Sequence, residues 1–193
     1  MGTAGLSHIP ECPVPREIAN SLSGPAVPSI LLRSRTRCPY DAYSSLAYLD
    51  EEVASNREMV RDLLPYHQEL AQLFLEVLTE EGEASLAGIQ ESGFQGFRPP
   101  GFVRAAWEAA LAGGVPGLMD FEDVSLLGQV YSKQDRVDRL SVDGLQAMLG
   151  PGAFRPDNLE SLITQALGHT NDLVFAQQEL LDLYDAWLAH RGR

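Results

Sequence analysis

An all-α protein, an antiparallel helical bundle with an extended proline-rich N-terminal arm, is the fold the sequence predicts, and three observations support it. From Leu159, steps of four and three reach Ile163, Ala166, Thr170, Leu173, Gln177, Leu180, Tyr184 and Trp187, a stripe widened by Leu162, Val174, Leu181 and Leu188. A second run, Leu46, Leu49, Val53, Asn56, Val60, Leu63, His67, Leu70, Phe74 and Val77, keeps the same spacing. Both runs follow the 3.6-residue period of a helix that buries one side. Finally, no stretch alternates polar and apolar residues between turns as a strand would, and no internal repeat is visible.

In chain order, residues 1–40 form the arm and 41–193 the bundle. Pro10, Pro13, Pro15, Pro25, Pro28 and Pro39 block regular structure in the arm for more than a few residues at a time. Helical segments are expected over 41–64 and 66–81, kinked or broken at Pro65, which falls on the outward side. On their seam, Asn56 would fix register at some cost in stability, and His67 reads as a hydrogen-bonded core histidine. Glycines and prolines from Gly82 to Gly101 make a loop whose Phe94 and Phe97 either fold back onto the bundle or form a contact surface. A short helix over 102–112 carries Trp107 and stops at Gly113-Gly114. Asp120 is placed to cap a helix reaching Leu140, with a restart at Ser141 that ends at Gly150-Pro151-Gly152. Asp157 and Glu160 read as a capping box for the last helix, which would be about 50 Å long and ends beside Arg191 and Arg193.

At 193 residues with 45% hydrophobic content, the chain can bury a full core without metals or disulfides. Its net charge of -13 argues against nucleic acid as a partner, because phosphate binders concentrate Lys and Arg. Cys12 and Cys38 are compatible with one disulfide or with a reduced pair. No apolar run is long enough to span a membrane, and no secretory leader is apparent, so the expected location is cytoplasmic. Leu6 breaks the myristoylation pattern that Met1-Gly2 begins.

Phosphate loops, dinucleotide fingerprints, nucleophile elbows and paired zinc histidines are all missing, and no histidine follows a glutamate by three residues as in di-iron bundles. No cofactor or metal is expected. Arg61-Asp62-Leu63-Leu64-Pro65-Tyr66-His67 resembles the Arg-polar-His motif of helical ribonucleases of the HEPN class. That resemblance would make Arg61 and His67 the phosphate-binding and acid-base groups for cleaving RNA.

Glu52-Val53-Ala54-Ser55-Asn56 with Met59-Val60, then Ala106-Trp107 before Gly113-Gly114, then Leu126-Leu127 and Tyr131, resembles an uncharacterised bacterial helical-bundle family. Its members usually carry an N-terminal membrane anchor, a Glu-Ile-x-x-Asn helix, a Trp, a Tyr segment and a long C-terminal helix. The resemblance implies a bundle module with no catalytic residues to carry over, and this sequence departs from it in having no anchor. The leading expectation is a non-enzymatic protein acting through association with a protein partner, in an oligomeric state that composition does not fix. Arg33, Arg35, Arg37, Phe94 and Phe97 are the candidate partner contacts. The alternatives are the RNA-cleaving nuclease and peripheral attachment to a membrane surface through the three arm arginines.

Overall fold

A computed structural model describes residues 39–79, 96–148 and 155–192. Four helices account for most of them: α1 (Pro39–Thr79), α2 (Ala105–Gly113), α3 (Phe121–Met148) and α4 (Leu159–Arg191). Single 3-10 turns over Val115–Leu118 and Pro156–Asn158 lead into α3 and α4. There is no strand among the described residues, and none of their helices is long and apolar enough to cross a membrane. Residues 1–38 of the expected arm, residues 80–95 with Phe94, and Gly150-Pro151-Gly152 lie outside the described residues.

The centre of the bundle is α4, because its stripe is wide enough to serve two neighbours. Leu159, Ile163, Ala166, Thr170, Leu173, Gln177, Leu180, Tyr184 and Trp187 are all buried, and Leu162 and Ala176 extend the buried surface to a second side. One side faces α1, where Trp187 Nε1 donates to Asp50 at 2.9 Å and Arg57 meets Asp185 at 2.5 Å. The other faces α3, where His190 meets Asp123 at 2.8 Å and Lys133 meets Glu179 at 2.7 Å. Residue numbers rise along one helix as they fall along the other in both sets. Helix α4 therefore runs antiparallel to α1 and α3, and those two run parallel, packed on α4 rather than on each other.

The channel left between α1 and α3 is filled by the extended segment 96–104 and then α2. Phe97 sits between Phe74 of α1, at 6.5 Å between ring centroids, and Gly144 of α3. A Cβ added at Gly144 would lie 3.4 Å from the Phe97 ring, in ordinary van der Waals contact, so the ring packs directly over this turn of α3. Tyr66 donates its hydroxyl to the Gly96 carbonyl at 2.5 Å, and the Arg98 guanidinium lies over the Tyr66 ring at 5.2 Å. At the far end α2 stops where Gly114 turns left-handed, φ 67°, and returns its N–H to the carbonyls of Ala110 and Leu111.

Helix α1 is one helix of 41 residues that starts at Pro39, inside the expected arm, and continues through Pro65, one of the two outcomes expected there; two later boundaries differ from the sequence reading. The proline ring faces outward and costs only the bond to the Arg61 carbonyl, which water on that exposed face can replace. Helix α3 does not restart at Ser141, whose Oγ donates to the Val137 carbonyl at 2.9 Å and so finds its partner inside the same helix. Asp157 caps nothing: it lies in the 3-10 turn, and Asn158 takes the N-cap place in a helical conformation, φ -109° and ψ -6°, with no side-chain cap bond. The turn feeds the helix directly, with the Asn158 N–H on the Arg155 carbonyl at 2.9 Å, so no extended residue precedes it to aim a side chain at the first amides.

Replacing Pro65 by Ala restores the missing donor on a face that touches nothing. Urea unfolding should show the Pro65→Ala protein more stable by roughly 1–3 kcal/mol with unchanged helicity. A loss of stability would mean that the proline shapes α1 to its neighbours.

Candidate functional site

The densest group of buried polar side chains lies where α1, the start of α2 and α3 meet. Helix α2 begins after Arg104, whose own side chain does not cap it, so its first amides need acceptors from elsewhere. Glu52 supplies them: Oε2 accepts from the Ala106 N–H at 2.7 Å and Oε1 from the Trp107 N–H at 3.2 Å. The Tyr131 hydroxyl of α3 donates to the same Oε1 at 2.6 Å, and the Trp107 ring stacks on the Tyr131 ring at 4.8 Å and 4°. Burial, then the neighbouring Glu52 carboxylate, pushes the Tyr131 phenol well above its ordinary range, so it stays a donor. A negative group at a helix N-terminus is also favoured by the dipole of α2.

One turn further along α1, Asn56 pairs with the backbone of Val103 in both directions. Its Nδ2 donates to the Val103 carbonyl at 2.7 Å and its Oδ1 accepts from the Val103 N–H at 2.9 Å, as an adjacent strand would. Arg104 then bonds to Asp135 and, at 2.6 Å, to Asp138 of α3. Burial raises the Asp138 carboxyl, with the Arg104 charge acting against it. All three bonds to Glu52 come from within the fold, and its side chain is buried. The group anchors the start of α2 and ties it to α1 and α3.

A second polar layer crosses the middle of the bundle. His67 Nδ1 lies 3.0 Å from Gln177 Oε1, and Gln134 Nε2 donates to the Tyr184 hydroxyl at 2.9 Å. His67 Nε2, Gln177 Nε2 and Gln134 Oε1 have no partner among the described residues. Burial lowers the His67 imidazole below its ordinary value, outweighing the bond to Gln177, and the Arg98 charge lowers it further.

The sequence-derived candidates are separated by the fold. Arg61 is exposed and bonds to Glu58 at 2.8 Å and 3.0 Å, while His67 is buried against α4. A pair acting on one phosphodiester would need a common open surface, and these two share none. Phe97 is 5% exposed and spends its ring inside the molecule. Arg33, Arg35, Arg37, Phe94, Cys12 and Cys38 lie outside the described residues. Among the described residues no group of three His, Cys, Asp or Glu side chains could hold a metal ion.

One open face of the surface is apolar. A groove of about 530 Å³ between α1 and α2 is walled by Tyr48, Ala105 and Ala109, above Glu52. Leu111 in the last turn of α2, Leu118 in the 3-10 turn after it and Phe121 at the start of α3 are 51%, 52% and 87% exposed. Nothing in the sequence marked this corner, because three apolar residues spread over eleven positions carry no period.

Two outcomes test the buried groups. Glu52→Ala strands two amides and a hydroxyl and should cost about 2–5 kcal/mol in urea unfolding; Glu52→Gln, which keeps one acceptor, should cost less. For His67 the sign follows from its depressed value. Below pH about 6.5 the unfolded chain binds a proton that the folded chain refuses, so stability falls as pH drops. Unfolding midpoints at pH 7.5 and 5.5 should therefore differ more in the wild type than in His67→Gln, and equal differences would show that His67 does not titrate against the fold.

Comparison of the chain with protein-family models, curated proteins and solved structures returned no match.

Proposed function

We propose that this chain is a non-enzymatic helical bundle that works through protein–protein association, as a scaffold, adaptor or accessory subunit of a larger complex. One observation carries the reading. Phe121, a large aromatic that opens α3, is 87% exposed, and Leu118 and Leu111, three and ten residues before it in the chain, are 52% and 51% exposed. Single exposed apolar residues are ordinary, but an exposed aromatic with two exposed leucines close to it in the chain has the make-up of an interface centre. The polar groups support the same reading from the other side. Glu52, Asn56, Tyr131 and Gln134 are each bonded to the chain itself and so take part in holding it together.

Native mass measured on the protein from its source cell should show a stoichiometric protein partner. The Leu118→Asp/Phe121→Asp double variant should lose that partner, with affinity falling at least tenfold, while its circular dichroism stays unchanged. A wild-type chain that runs alone at physiological salt overturns the proposal. So does a partner retained undiminished by the double variant.

A further inference from the structure

In a chain with 27 acidic and 14 basic residues, three of the basic ones fall within seven positions on one face of α3. Lys133, Arg136 and Arg139 line an open groove of about 570 Å³ beside Leu183 of α4, together with Ser125 and Ser132. No acidic side chain lines it. The helix sorts its charges by face: Asp135 and Asp138 turn toward Arg104 and the segment before α2, leaving the cations on the opposite flank. Glu179 takes Lys133 at 2.7 Å but reaches Arg136 only at 3.8 Å, and Arg139 has no ion pair among the described residues. Gly128 sits mid-groove, where an added Cβ would meet nothing within 4 Å, so the floor is open to a ligand's backbone.

We propose that this groove binds an extended acidic segment of a partner protein, its carboxylates set against Arg136 and Arg139 and its backbone against Ser125, Gly128 and Ser132. The proposal deepens the association reading and rests on it. Shape favours a linear ligand over a compact anion. Ser125 to Arg139 spans about 21 Å of helix, the length of about six extended residues, whereas an inorganic phosphate would touch one turn. Range matters as well. At 0.15 M salt the screening length is about 8 Å, shorter than the groove, so distant acidic residues are screened from a bound peptide, and the nearby Glu179 is taken up by Lys133 at 2.7 Å. Asp143, one turn beyond Arg139 on the same stripe, bounds the site at that end.

The probe is a fluorescein-labelled hexaglutamate peptide titrated with the full chain at 0.15 M salt and read by anisotropy. Saturable binding is expected, weakened at least tenfold by Arg136→Glu/Arg139→Glu and less than twofold by Arg61→Glu, an exposed arginine on α1. Both sites are on the surface, and circular dichroism confirms that each variant is folded. Absence of binding to the wild type overturns the proposal, as does equal weakening by Arg61→Glu. Displacement by millimolar inorganic phosphate would make this a compact-anion site and also overturn it. A dimer abolished by the double reversal, with no peptide bound, would place a second copy in the groove instead. A chain that keeps its native partner through the Phe121 corner but ignores the peptide sinks only this proposal.

Discussion

Two helices laid side by side on a third leave a furrow, and the rest of this structure depends on how that furrow is closed. Helix α4 buries its stripe against α1 and α3, yet their facing sides would stay wet unless something covered them. The chain covers them with an extended segment before α2, and an extended segment brings a difficulty that a helix does not. Its backbone donors and acceptors have no neighbours of their own and must be met by side chains. Asn56 meets both groups of Val103, Tyr66 meets the Gly96 carbonyl, and Glu52 meets the first amides of α2. Burying the Glu52 carboxylate is tolerable because three donors and a helix N-terminus converge on it.

The seams of the bundle were legible because they repeat. Every member of the 3–4 line from Leu159 to Trp187 is buried, and so are Leu49, Val53, Asn56, Val60, His67, Leu70 and Phe74 of α1. The covering segment was not legible, since Gly96, Pro99, Pro100 and Gly101 are also what an exposed loop contains. Its attachments join residues 30 to 55 positions apart, a separation at which no local pattern survives. One signal was available. Glu52 lies three residues after Leu49 and four before Asn56, so a charge stood on the buried side of α1 and needed a partner. Arg61 and His67 stand apart for the complementary reason. Six residues at 100° each turn the helix through 600°, so the two side chains leave α1 on different faces, a fact that a motif counted in residues does not contain.

Three buried polar contacts then decide which arrangement of these helices is allowed. His67 with Gln177 joins α1 to α4, Gln134 with Tyr184 joins α3 to α4, and Glu52 with Tyr131 joins α1 to α3. Each pair of long helices thus has one polar tie of its own. Hydrophobic stripes with a regular period match nearly as well after a slide of one turn, about 5.4 Å, so apolar packing alone specifies register weakly. The same slide along any pair would pull a carboxylate, an imidazole or an amide away from its partner and leave it dry, at a cost of about 1–3 kcal/mol for each stranded group. Well-packed apolar replacements at these positions would stabilise burial yet leave neighbouring registers close in energy. The polar ties contribute little to net stability and much to the choice of one packing, and so the corner at Phe121 and the cationic flank of α3 hold fixed positions relative to each other.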